Sequence, residues 1–253
     1  MHTDRPQHTD RPLGSDRPLR ASPLSPPGPA PAHVVDRSFY DADSLEVAPR
    51  VLNKLLARRD AGGKVLLSGR IVEVEAYRGE DDPASHAFKG PTRRNATMFG
   101  PPGHLYVYFT YGMHWCANLV CGPDGEATAV LLRALAPVEG IAEMRAARGG
   151  RATDRDLLSG PARLCQAMGI DGSCDGVDLV GGTAGPVGGG GAAGPERSSL
   201  VVLDDGVVAP EHPGVSSRVG IRLAADLQWR WWVQGDPNVS KGRPSGPVGS
   251  KPL

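Results

Sequence analysis

Apolar and polar positions change period several times along the chain, and each change marks an expected element. Behind Ser44, the residues Leu45, Ala48, Val51, Leu52, Leu55 and Leu56 follow helical spacing. This predicts a helix capped by Ser44 that runs to about Arg58 and is closed by Gly62-Gly63. Residues 64–77 then alternate: Val72, Val74 and Ala76 fall on one face of a strand, and Glu73, Glu75 and Tyr77 on the other. Two carboxylates and a phenol pointing one way give that strand a polar face with chemical capacity. Residues 78–102 are rich in Gly, Pro, Asp and Arg without periodicity, and a connection this long is expected to be a functional loop.

Alternation returns at 105–110, and Tyr111-Gly112-Met113 makes a hairpin tip before a second strand through Trp115 and Asn118. A further strand at 127–134 carries Arg133 in an apolar run. Helices are predicted at 139–148 and after Ser159-Gly160-Pro161, the second closed by Gly169. Residues 181–195 are nearly all Gly, Ala and Pro, a flexible surface excursion, and short strands resume at 199–204, 217–221 and 229–235. Strands and helices mixed without regular βαβ alternation predict an α+β fold. It is expected to be a single domain, a strongly curved, mostly antiparallel, open barrel-like sheet with helices packed outside.

Composition sets the boundaries of that domain. With 253 residues, 40% of them apolar, the chain can bury one good core. Residues 1–35 repeat His-Thr-Asp-Arg-Pro and then become Ser- and Pro-rich, so they cannot offset their ordering entropy and are expected to be a disordered tail. The folded domain is placed at 36–241 and a second tail at 242–253. No run of about 18 apolar residues and no secretion signal is present, which predicts no membrane association and a cytoplasmic, nucleoid-associated location. The four cysteines, Cys116, Cys121, Cys165 and Cys174, form no CxxC pair and have no histidines at zinc-ligand spacing. They are read as reduced packing residues, with no metal.

Net charge is zero, with 28 basic and 28 acidic residues, which argues mildly against a nucleic-acid partner. The distribution argues the other way. Lys89, Arg93 and Arg94 cluster, as do Arg218, Arg222, Arg230, Lys241 and Arg243, and guanidinium groups suit two-pronged phosphate contacts. The excess of arginine over lysine, taken alone, reads as genome composition.

Individually the polar residues are unremarkable, since a strand glutamate is normally solvated and a strand tyrosine normally packs in the core. Their order is specific. Residues 70–77 (RIVEVEAY), 84–86 (ASH), Arg94-Asn95 with Met98-Phe99, 102–108 (PGHLYVY), 111–113 (YGM), 130–135 (VLLRAL), 159–167 (SGPARLCQA) and 217–220 (SRVG) together resemble the alkyladenine DNA glycosylases, also called mammalian-type 3-methyladenine DNA glycosylases. The resemblance covers roughly residues 36 to 240.

It implies a monofunctional enzyme of base excision repair acting on double-stranded DNA. A damaged purine, of the 3-methyladenine, 7-methylguanine, hypoxanthine or ethenoadenine type, would be flipped out and its N-glycosidic bond hydrolysed to leave an abasic site. Tyr111, with Met113 beside it, would intercalate where the nucleotide left the stack. Tyr77 and His86 would form one wall of the base pocket and Tyr108 the other, electron-rich rings favouring an electron-poor alkylated base. Tyr106 shares Tyr108's strand face, so periodicity does not separate them. Asn118 would crowd the exocyclic amino group of guanine. Glu75 would activate the water, held by Arg133 and the Val219 carbonyl. Glu73 lies on the same face; periodicity leaves it open as the base, and the resemblance gives it a supporting role.

A lyase mechanism needs an amine, and none of the five lysines lies in the matched pocket segments, Lys89 being nearest. No Walker sequence or dinucleotide-binding GxGxxG follows a strand, so no cofactor is expected, and a monomer is. Three other readings compete: a lesion-binding protein without cleavage, an RNA-binding or formyltransferase-related module, and a carbohydrate glycosidase. The first would lack Glu75, the second would not need wedge and carboxylate together, and the third would set two carboxylates across the sugar rather than along one strand.

Overall fold

The computed structural model describes residue 1 and residues 31–181 and 199–242. The tails and the glycine-rich excursion expected at 1–35, 181–195 and 242–253 lie almost wholly outside the described residues. An exception is β1 (His33–Val34), which pairs with β8 (Ser199–Asp204), so the sheet starts a few residues before the boundary placed at 36.

The spine of the fold is β3 (Val65–Arg78), whose long alternating run pairs antiparallel with β6 (Thr128–Glu139) over most of its length. On its other edge, β2 (Leu55–Arg59) pairs with the first half and β10 (Arg230–Trp232) with Glu73 to Glu75. Beyond β6 come β5 (His114–Cys121), β4 (His104–Thr110) and the short β7 (Val177–Asp178). Beyond β2 come β8 and β1, while β9 (Gly214–Ser216) extends β10. All these pairings are antiparallel, and the sheet curls into a half-barrel, the expected α+β architecture.

Strand alternation divides this sheet between core and site. One face presents Ile71, Val74, Ala76, Leu105, Val107, Leu119, Val130 and Leu132 to a core shared with Val47 and Val51 of helix α2 (Ser44–Val51), Leu52 just after it, and Leu164 and Met168 of helix α5 (Pro161–Met168). Each such Leu or Val contributes roughly 1.5–3 kcal/mol by leaving water. The opposite face carries Tyr106, Tyr108, Asn118, Arg133, Glu73, Glu75 and Tyr77, so the rigidity of one face positions the chemistry of the other.

Several predicted elements differ. The helix expected over 44–58 is only Ser44–Val51 (α2), capped by Asp43, whose carboxylate accepts from the Leu45 N–H. Ser44 instead donates to the Tyr77 carbonyl. Leu52 turns extended (ψ 142°) and Asn53 takes a positive φ of 68°. This frees Leu55–Arg59 to be hydrogen-bonded on both edges by β3 and β8, tertiary pairing that overrides a weak helical preference. Gly62-Gly63 therefore belongs to the β2–β3 turn.

The strand expected at 217–221 is replaced by Gly214–Ser216; past Ser216 the chain leaves the sheet and sends Arg218 and Val219 inward. The strand expected at 229–235 shortens to Arg230–Trp232, and that at 127–134 extends to Glu139. Helix α3 (Ile141–Ala147) lies within the predicted 139–148. Two short helices, Arg37–Tyr40 (α1) and Asp154–Leu157 (α4), precede α2 and α5 without having been predicted. Helix α5 (Pro161–Met168) matches its expectation, with proline in the first turn and left-handed Gly169 at its end.

Candidate active site

A single row of side chains crosses four strands: Glu75 of β3 faces Leu131 of β6, Leu131 faces Asn118 of β5, and Asn118 faces Tyr106 of β4. Leu131, Asn118 and Tyr106 of this row floor a cavity of about 390 Å³, ordinary for a small-molecule site. Neighbouring rows supply Tyr77, Tyr108 and Cys116, and the 217–221 segment closes one side with Val219 and Gly220. Of the nine residues that the sequence nominated, the cavity lining includes Tyr77, His86, Tyr108, Tyr111, Asn118, Arg133 and Val219. Glu75 is fully buried beneath Tyr77, and Met113 lies on the hairpin tip.

Arg133 occupies a register shift between β3 and β6: Glu73 pairs with Ala134 and Val74 with Leu132, leaving Arg133 unmatched. Such bulges re-aim side chains. Its guanidinium reaches both acidic residues, with Nε donating to Glu73 Oε1 (2.7 Å) and NH1 standing 3.1 Å from Glu75 Oε1. Glu73 Oε1 also accepts from Arg230 Nε (2.7 Å) and Ser240 Oγ (2.9 Å), and its Oε2 accepts from the Ser240 N–H (2.7 Å). Burial would raise the Glu73 carboxyl, but the two arginines outweigh it and hold the group below the usual carboxylate range.

Glu75 has gentler company. Its Oε1 accepts from the Val219 N–H (2.7 Å), and its Oε2 from the Tyr77 hydroxyl (2.9 Å). Burial dominates and pushes its carboxyl above the usual range despite Arg133, Val219 and Tyr77. Two carboxylates of one strand face are thus driven apart, the pattern by which acid–base roles are assigned. Val219 touches Glu75 through its N–H, a contact that the sequence reading did not foresee.

His86 is carried by the loop after β3. That loop turns off the strand at Gly79, where φ is 43° and a Cβ would collide with the Glu126 carbonyl oxygen. The side-chain amide of Asn95 donates to the His86 carbonyl, and His86 Nδ1 lies 3.2 Å from the Tyr106 hydroxyl. Packing of the otherwise exposed ring against the pocket, with Arg94 nearby, lowers its basicity and favours neutral imidazole.

Tyr106 and Tyr108 stack with centroids 5.6 Å apart and 29° between planes, while His86 meets Tyr108 edge-on at 4.3 Å. The two walls expected from sequence are therefore in contact here. A flat ring between them needs about 7 Å, twice a van der Waals separation, more than this contact leaves. Asn118 is held in the floor by its amide, which donates to the Tyr106 carbonyl (3.1 Å).

At the cavity mouth Tyr111 (φ 52°) and Gly112 (φ 67°) form the hairpin tip, the paired positive φ values of a tight turn between twisted strands. Tyr111 is 82% exposed and Met113 68%; neither packs back on the sheet. Lys89, Arg93, Arg94, Arg222 and Lys241 are exposed, and Arg94 ties its loop to the hairpin by donating to the Phe109 carbonyl. Two members of the expected basic clusters are corrected: Arg218 and Arg230 are buried in ion pairs with Asp82 and Glu73. Arg243 lies outside the described residues. Sequence reasoning also missed the site roles of Arg230, Ser240 and Asp82, because no local period links residues that meet across more than a hundred positions. Cys116, read there as a packing residue, lines the cavity opposite Tyr108.

The family model for methylpurine-DNA glycosylase matches residues 38–237. A protein of Burkholderia cenocepacia that bears a 3-methyladenine DNA glycosylase name is 53% identical over 216 residues, covering 85% of this chain and 95% of its own. Similarly named proteins of Carboxydothermus hydrogenoformans and Streptomyces avermitilis are 46% and 43% identical, each over 82% of this chain and over 99% and 91% of their own lengths.

Proposed function

The chain belongs to the methylpurine-DNA glycosylase family, a group of DNA repair hydrolases that act on N-glycosyl bonds, and from that premise we propose how its residues carry out the reaction. A damaged purine leaves the duplex at a cost of a few kcal/mol, and Tyr111, with Met113 beside it, occupies the gap in the stack. The base enters the aromatic cavity against Tyr77, Tyr108 and His86. Asn118 crowds the position of the guanine exocyclic amine. The substrates are damaged purines of the 3-methyladenine, 7-methylguanine, hypoxanthine and ethenoadenine type.

Water attacks the anomeric carbon as the bond to the purine nitrogen breaks, and its proton passes to Glu75. A cationic alkylated base departs neutral with the bonding electrons, and a neutral lesion such as hypoxanthine must also take up a proton as it leaves. The Glu75 carboxylate also stabilises positive charge developing on the sugar, and Arg133 orients it. No lysine lines the cavity among the described residues, which supports water over an amine as nucleophile. The observation that carries the reading is the fully buried Glu75 under an aromatic cavity whose mouth bears an exposed tyrosine and methionine.

Its test is incubation with single-lesion duplexes, with chromatography for free base and alkali cleavage for abasic sites. Release of 3-methyladenine with an intact backbone before alkali is expected. Binding without release, or backbone cleavage without alkali, would overturn the reading.

A further inference from the structure

Among the described residues Arg218 is one of the largest fully buried side chains, and its partner Asp82 is equally inaccessible. Its guanidinium makes a two-pronged pair with both Asp82 oxygens and also donates to the carbonyl of Ala76 (3.0 Å), the residue between Glu75 and Tyr77. The same planar group lies 4.6 Å from the centroid of Tyr77 and 5.0 Å from that of Trp229. Asp82 Oδ1 in turn accepts from the Ala84 N–H, two residues before His86. One side chain therefore joins β3, the loop bearing His86, and the 217–221 segment. The residue after it is Val219, whose N–H donates to Glu75 Oε1.

Stability alone is a poor reason for this arrangement, because a buried ion pair often contributes no more than well-packed apolar groups of the same volume. What a guanidinium adds is a rigid fork that fixes direction as well as distance. Resting on the reading above, we propose that Arg218, clamped by Asp82, is a positioning residue of base excision: it holds the Val219 N–H against Glu75 and backs the Tyr77 ring. Misplacement of such a group by about 1 Å can cost on the order of a hundredfold in rate.

Glu75 is faced by Arg133 from β6, by Glu73 and Tyr77 from its own strand, by Tyr108 and Cys116 from β4 and β5, and by the Val219 N–H. Of these, Arg218 governs Val219 and Tyr77. Losing the Val219 hydrogen bond removes a contact that favours the ionised carboxylate, so the acid limb of the rate profile moves to higher pH.

The experiment compares the full-length wild-type chain with Arg218→Lys, which keeps the charge and loses the fork, and with Asp82→Asn. Single-turnover release of 3-methyladenine is followed across pH, alongside thermal melting and affinity for undamaged duplex. Folded variants should lose at least about tenfold in rate per folded molecule, with the acid limb shifted upward and undamaged-duplex affinity unchanged. Wild-type rates and limb in both variants would overturn the proposal while leaving the glycosylase reading intact. Failure of both to fold would make the pair a stability element and overturn it as well. A wild-type chain that releases no base would remove the functional reading and this proposal with it.

Discussion

Glu73 and Glu75 stand two residues apart on one face of β3, both without solvent exposure, yet the regions around them are built on opposite principles. Around Glu73 the site is closed: Arg133, Arg230 and Ser240 fill both oxygens. Glu75 is sealed as well, but the groups that touch it, one shared arginine, one backbone N–H and one phenol, belong to Arg133, Val219 and Tyr77, which line the aromatic cavity. Burial is therefore no guide to role by itself. A carboxylate saturated by fixed cations is a structural anchor, whereas one desolvated beside a cavity, with its charge only partly compensated, is poised to take a proton.

The stability of the closed region gives the largest contrast. Glu73→Gln leaves Arg230 buried without its counter-charge, and breaking a buried pair this way costs about 3–5 kcal/mol. Urea unfolding should show that loss, while Glu75→Gln should unfold at or above the wild-type midpoint. Equal penalties at the two positions would erase the distinction.

The pH dependence of these effects sharpens it. The Glu73 carboxyl is depressed in the folded state, so its contribution is present above the unfolded value near 4.3 and is lost as pH falls through the folded value. The Glu73→Gln deficit should therefore shrink in acid. The Glu75 carboxyl is raised, so it favours folding at low pH, and that contribution fades as pH rises through its folded value. Any gain from Glu75→Gln should appear only on that upper side. Unfolding midpoints across the acid range check both signs, and opposite trends would reverse the assignments.

On the open side, Tyr111→Ser should leave stability unchanged, because the ring is exposed. It should weaken lesion-specific binding about tenfold, roughly 1.4 kcal/mol, with little effect on undamaged duplex. Competition titrations at fixed salt test this, and equal losses on both duplexes would make Tyr111 a general contact. Asn118→Ser should give the smallest change, a severalfold rise in guanine excision relative to hypoxanthine in mismatched duplexes. An unchanged ratio would count against a gatekeeping role.

Much of this architecture is legible locally. Alternation in β3 places Glu73, Glu75 and Tyr77 together, Pro161 and Gly169 bracket α5, and Tyr111-Gly112 marks the hairpin. Leu55 and Leu56 mislead because leucines at helical spacing also suit a strand, and only pairing with β3 and β8 decides between them. The division between the two glutamates is not visible either, because Arg230 and Ser240 reach Glu73 from 157 and 167 residues away. Residues 217–221 read as a strand, yet Arg218 and Val219 are drawn out of the sheet by Asp82 and Glu75. Local pattern loses there to the buried polar groups of the site.

On the proposed mechanism Glu75 takes the proton and Glu73 holds the frame. Its most direct test is single-turnover release of hypoxanthine by Glu75→Gln and Glu73→Gln, each normalised to folded enzyme. Glu75→Gln should fall at least about a hundredfold, the lower end for loss of a general base, while still binding the lesion duplex; folded Glu73→Gln should retain most of its rate. A Glu75→Gln enzyme that keeps its rate while folded Glu73→Gln loses it would contradict the account.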